Sequence, residues 1–346
     1  MNYPGQMHKY HRLILVAGLA LAFGAASLLL AKEMGNMFRL PGKSSTGPFQ
    51  SLSREEDAIK KAMHDHVHYL AGTLGARSWQ RPKGLVEAAK YISEQWQKLG
   101  YAVESQDYQI DGIADQTFKN LEVEIKGESH PSEIIVVGAH YDSVLTCPGA
   151  NDNASGVAAI IEMARVMKDL HPAKTIRFVA FVNEEPPFFS SPQMGSAQYA
   201  NRSKERGENI IAMLSVETIG YYSDEPNSQR FPQMMQMSEP NKGNFICFVS
   251  NEHSRALNIR CLETFRKTTD FPSEGIAAPE QAEAIDFSDQ MYFWKNGYRG
   301  LMITDTAMFR YKDYHLPTDT PDKVNYERAA RVTLGLTKVV ADLATR

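Results

Sequence analysis

EIIVVGAHYDS, residues 133–143, decides the fold. Residues 134–139 are apolar without a break, so both faces of the segment need cover, as a central strand of a sheet does. Periodicity alone does not separate such a run from a buried helix, and the Ile and Val content argues for the strand. Two more runs share this character: TIRFVAFVN (175–183), which leads to Glu184 and Glu185, and IAMLSVE (211–217), which ends on Glu217. FICFVS (245–250) and GLMIT (300–304) are shorter examples. Helical patterns lie between and beyond them, at 155–170 and near 252–267, 286–296 and 322–343. Upstream, YAVESQDYQI (101–110) and FKNLEVEIKG (118–127) alternate apolar with polar residues, as half-buried strands do. Central strands separated by helices predict an α/β protein, a three-layer αβα sandwich around a mixed sheet.

Towards the N-terminus, Ser53-Arg54-Glu55-Glu56 is a capping box opening an amphipathic helix to about residue 71. A second helix is expected over 84–99, ended by Gly100. Residues 223–243 and 268–285 are polar, Pro-containing and aperiodic, and read as loops shaping a cleft. Residues 32–52 are rich in Gly, Ser and Pro and read as a tether. Residues 13–31 form an uncharged apolar run between Arg12 and Lys32. About 20 apolar residues span a bilayer, so the run is expected to be an uncleaved transmembrane helix rather than a cleaved signal segment. The domain plan is thus a tail over 1–12, an anchor over 13–31, a tether over 32–52 and a catalytic domain over 53–346. That catalytic domain is expected outside the cytoplasm, periplasmic or extracellular, and secreted should the segment be cleaved.

Composition narrows the function. With 43% hydrophobic and 23% charged residues among 346, the chain is an ordinary globular protein. Its net charge of -4 and lack of a basic stripe argue against nucleic acid or another polyanion as partner. Cys147, Cys247 and Cys261 are too few for a disulfide scaffold. Pairing of Cys247 with Cys261 and three buried thiols are both open.

The chemistry is concentrated where strands end. In open α/β sheets ligands bind beyond the carboxyl ends of the strands, where side chains from separate strands converge. His140 ends one run, and a neutral imidazole is a good zinc ligand. Asp142, two residues on, can accept its other ring N–H. Alone, a strand-end His is more often structural. Gly149-Ala-Asn-Asp152-Asn-Ala-Ser-Gly156 precedes a helix, and by itself Asp152 there is most simply a cap. Glu184 and Glu185 change the balance. Two adjacent carboxylates after an apolar strand repel and lose hydration, and a cation relieves both penalties. Alternation sends them different ways, so one can bind metal while its neighbour reaches an attacking water. Glu217 repeats the pattern, and His315 follows in Tyr314-His315-Leu-Pro-Thr-Asp319. Each is weak alone; the set points to a bound metal cation.

These stretches, GAHYDS, GANDNASG, FVNEE with a later Gly195-Ser196, VETIG and YHLPTDTPD, together resemble the zinc aminopeptidase family, family 28 of the metallopeptidases. Glutaminyl cyclases are among its relatives. The resemblance runs from about residue 54 to the C-terminus and includes LGARSW. It implies that His140 and Glu217 bind one zinc ion, Glu185 and His315 a second, and that Asp152 bridges them. It further implies Glu184 as general base, Asp142 as the residue orienting His140, and a peptide as substrate. Two positions depart from the common pattern: Glu217 stands where many members have Asp, and Gln290 where a His is frequent. The expected activity is that of an aminopeptidase. A single-zinc glutaminyl cyclase and a non-catalytic binding homologue are the alternatives. Phe188, Phe189, Tyr221, Tyr222, Phe309 and Tyr311 either line a specificity pocket or are core aromatics.

Overall fold

The apolar run at 134–139 lies in the middle of strand β3 (His130–His140), where Ile135, Val137 and Ala139 face one helical layer and Ile134 and Val136 the other. Residues 37–113, 116–232 and 240–345 are described by a computed structural model of the protein. The tail over 1–12 and the expected membrane span over 13–31 lie outside the described residues. Among the described residues no helix is long and apolar enough to cross a membrane.

The other strands are β1 (Glu104–Tyr108), β2 (Phe118–Ile125), β4 (Lys174–Phe181), β5 (Asn209–Glu217), β6 (Ile246–Asn251), β7 (Ser273–Ala278) and β8 (Gly300–Thr304). They form one sheet in the order β1-β2-β4-β3-β5-β8-β6-β7. β4, β3, β5 and β8 run parallel, whereas β2 meets β4, and β6 meets β8, in antiparallel fashion. The sheet is mixed, as expected.

One face is covered by α1 (Arg54–Val67), α2 (Pro82–Lys98), α3 (Gly156–Met167), α5 (Arg255–Thr268) and α7 (Tyr326–Thr345). On the other face lie α4 (Gly195–Glu205) and α6 (Gln290–Lys295), whose Tyr199 and Phe293 pack with Phe181. Close packing shows at Gly138, where an added Cβ would lie 2.2 Å from the Phe181 ring. The Ser53 capping box forms: its Oγ accepts from Glu56 N at 3.2 Å, and Ser53 N donates to Glu56 Oε2 at 2.7 Å. The helix it opens continues into a π-helical turn, His68–Thr73.

Three features differ from the sequence expectation. Strand β7 lies within 268–285, expected to be a loop. Its sequence, SEGIAA, is buried on both faces and made mostly of small residues, so it carries no alternation to read. Helix α4 carries no periodic signal because GSAQYANRSKE is largely polar. Finally, residues 38–50 of the expected tether lie along the domain rather than away from it. Arg39 bridges to Ile276 of the edge strand, Leu40 is buried, and Phe49 stacks on Phe271 at 5.4 Å.

Candidate metal centre

Three parallel strands deliver acids and imidazoles to one end of the sheet. His140 is the last residue of β3, Glu217 the last of β5, and Glu184 and Glu185 follow β4. Asp152 sits in an irregular turn, Ala150–Ser155, ahead of α3, and His315 in the loop after β8. Left-handed φ angles recur at these points: 61° at Asn183, 44° at Thr218 and 60° at His315. Non-glycine residues hold such angles only where the surroundings impose them, commonly at functional sites.

All five expected ligands come together, in two clusters that share one member. His140, Asp152 and Glu217 form the first, and Asp152, Glu185 and His315 the second, with ligand atoms within 4.8 Å of one another. His140 Nε2 lies 3.3 Å from Asp152 Oδ1 and 3.2 Å from Glu217 Oε2. His315 Nε2 lies 3.1 Å from Asp152 Oδ2 and 3.1 Å from Glu185 Oε2. The two oxygens of Asp152 therefore face different clusters.

These contacts fit a metal better than hydrogen bonding. Both Asp152 oxygens and Glu185 Oε1 are buried and accept no aligned hydrogen bond. Orphaned acceptors of this kind are costly in a protein interior. Ligand atoms about 2.0–2.2 Å from a tetrahedral ion sit roughly 3.3–3.6 Å apart, close to the spacings here. The donor set of imidazole and carboxylate, without thiolate, suits zinc.

Electrostatics tell the same story. Burial lifts Glu184 well above the ordinary carboxylate range. It also raises Glu217, and pushes Glu185, beside Asp152, up to about 7. Burial acts in the same direction on Asp152, but His140 and His315 outweigh it and hold that carboxyl below its usual range. Without a cation, this many buried acids must share protons with the two imidazoles.

Supporting residues fix the ligands. Asp142 differs in detail from expectation. His140 Nδ1 lies 3.2 Å from the Asp142 carbonyl oxygen and 3.6 Å from its carboxylate, which instead accepts from the Glu184 and Glu185 N–H groups, each at 3.1 Å. Asn153, rather than Asp152, serves the helix start: its Oδ1 accepts from Gly156 N at 3.0 Å and Thr218 N at 3.1 Å. Asp319 accepts from Asn151 N at 2.9 Å, Asp152 N at 3.1 Å and the Tyr311 hydroxyl at 2.8 Å. Ser288 donates to Glu217 Oε2 at 2.8 Å. Fully buried Arg77 donates to the carbonyls of Tyr141 at 2.7 Å and Gly149 at 2.9 Å, bracketing the loop between His140 and Asp152. Gln290 is buried and donates to Ile285 O at 2.9 Å.

Arg77, Ser288 and Asp319 had no assigned role in the sequence. Their partners are distant backbone or side-chain atoms; Arg77 and Asp319 lie in the matching stretches LGARSW and YHLPTDTPD, whereas Ser288 lies in none of them. Of the six aromatics, Phe189 lines the cleft and Phe309 an adjoining cavity, while Tyr311 holds Asp319. Phe188 packs edge-on against Trp79, Tyr221 lies tilted against Tyr311, and Tyr222 meets Phe271 edge-on. All three cysteines are free and buried.

Residues 120–340 match the model of a family described as Peptidase family M28. A protein of Escherichia coli strain K12, described as uncharacterized protein YfbL, is 36% identical over 293 residues, covering 82% of this chain and 88% of its own. Aminopeptidase YwaD of Bacillus subtilis is 46% identical over 100 residues, 28% of this chain and 20% of that protein. The structure of BSAP, a zinc aminopeptidase from Bacillus subtilis, superposes with a TM-score of 0.63 at 16% identity, over 83% of this chain and 95% of that one. At that identity the likeness shows the fold.

Proposed function

Because the chain belongs to peptidase family M28, we propose that this zinc metallopeptidase is a two-metal aminopeptidase. His140 and Glu217 would hold one zinc ion, Glu185 and His315 the other, and Asp152 both. The observation that carries this reading is the pair of Asp152 oxygens, one 3.3 Å from His140 Nε2 and the other 3.1 Å from His315 Nε2.

Bound divalent ions would supply Lewis acidity, polarising a scissile carbonyl and bringing the pKa of a water towards about 7. The chain's own residues supply the rest. Glu184 lines the cleft and belongs to neither ligand cluster. Burial raises its proton affinity, so its carboxylate is suited to take a proton and return it to the departing amine, worth typically ~10²–10⁴-fold. Asp142, through the Glu184 and Glu185 amides, keeps base and ligand in fixed relation. The Ser288 hydroxyl, donating to Oε2 of Glu217, orients that carboxylate. The apolar run at 13–31 supports an anchored enzyme with this domain outside the cytoplasm, a location that protease accessibility of intact cells would test.

The test of the activity is a panel of aminoacyl p-nitroanilides with free and acetylated amino groups, assayed before and after chelation. Cleavage of the free series alone, abolished by chelator and restored by zinc, is expected. Equal cleavage of acetylated substrates would exclude an aminopeptidase. Cyclisation of N-terminal glutamine with one ion per chain would replace hydrolysis by a cyclase reaction.

A further inference from the structure

An apolar cavity opens off the cleft, sharing Glu217, Phe287, Met308 and Tyr314 with it. Its back wall is the face of β6, β7 and β8 that carries Cys247, Val249, Ile276 and Met302. Charges line it unequally. Arg230 and Glu283 are exposed, and Glu217 belongs to the metal cluster. Glu274 is buried, two residues before Ile276 on β7, so alternation turns it to the same face.

A lone carboxylate on an apolar wall is unfavourable and would attract a cation. Here the N-terminal segment supplies one. Arg39 donates from Nε at 2.9 Å and Nη2 at 2.7 Å to Glu274 Oε2. The contact is held in register by the bridge from Arg39 to Ile276 and by Leu40 N donating to Gly275 O at 2.7 Å. Nearby Arg266 is committed elsewhere, to Pro41 O and Ser273 O.

We propose that the Arg39–Glu274 pair sets the substrate preference of this cavity. With the pair intact the cavity takes a large uncharged apolar side chain, of the leucine, methionine or phenylalanine kind. Without Arg39, Glu274 accepts the ammonium or guanidinium of a lysyl or arginyl side chain. The inference rests on the aminopeptidase reading, in which the residue preceding the scissile bond enters a pocket beside the metal cluster.

The experiment compares kcat/KM for leucine, lysine and glutamate p-nitroanilides in the full chain, with zinc content measured alongside. Arg39→Gln should raise the lysine-to-leucine ratio roughly tenfold. Adding Glu274→Gln to that variant should return the ratio to its original value. Glu274→Gln alone leaves Arg39 unmatched and should shift preference from lysine towards glutamate, which carries the test should Arg39→Gln not fold. Ratios within twofold of the parent in the folded single variants would overturn the proposal. An unmodified enzyme that cleaves none of the three would instead overturn the aminopeptidase reading.

Discussion

The carboxylate of Asp142 accepts the backbone N–H of Glu184 at 3.1 Å, and its second oxygen accepts that of Glu185 at the same distance. One residue thereby sets where both the proposed base and a proposed ligand leave their strand. Asp142→Asn keeps the shape but presents an amide N–H to one of those donors. Losing a contact that orients metal-binding residues typically costs ~10–100-fold in metal affinity or activity. We expect a fall of that size in kcat/KM, with unfolding midpoints of the zinc-loaded protein little changed. An unaltered kcat/KM would remove Asp142 from the machinery.

Glu184→Gln is expected to abolish most turnover, by ~10²–10⁴-fold, while zinc content stays at the parent level. Steady-state kinetics with metal analysis on the same preparation checks this. Activity near that of the parent would assign the proton transfer elsewhere.

Much of this was visible in the sequence for a physical reason. Central strands must be apolar on both faces, so 134–139, 175–183 and 211–217 announced themselves, and acids directly after them stood out. The strand β7 did not, because Gly275, Ala277 and Ala278 pack through their smallness and show no pattern. Arg77 was equally silent. A buried arginine is defined by the carbonyls it meets, and those belong to residues up to 72 positions away. Arg39, in a stretch whose composition suggests a tether, is legible only once Glu274 lies opposite it.

Arg77→Met should expose how far the loop between His140 and Asp152 depends on that guanidinium. The substitution leaves carbonyls of Leu70, Tyr141 and Gly149 without their donor in the interior. We expect a loss of about 3–4 kcal/mol in stability, read from urea unfolding of the metal-loaded protein. A loss under about 1 kcal/mol would mean water replaces the side chain.

The imidazoles make metal binding pH-dependent. Burial opposes charge on His315, but Asp152 and Glu185 outweigh it and lift its pKa from 6.5 to about 10 in the metal-free fold. A raised folded pKa stabilises the metal-free protein fully below about 6.5 and loses that contribution as pH rises through about 10. Zinc must displace the same proton, so its apparent affinity should climb with pH over that window. Calorimetric titrations at pH 7.5 in buffers of differing ionisation enthalpy should reveal proton release. Heats independent of buffer would contradict it.

The central claim is that two cations hold these five residues together, and zinc stoichiometry tests it most directly. Plasma mass spectrometry of the purified active enzyme should find about two zinc ions per chain, falling below one in Asp152→Asn. A fully active parent with no more than trace metal, or an Asp152→Asn variant that keeps both ions, would contradict it.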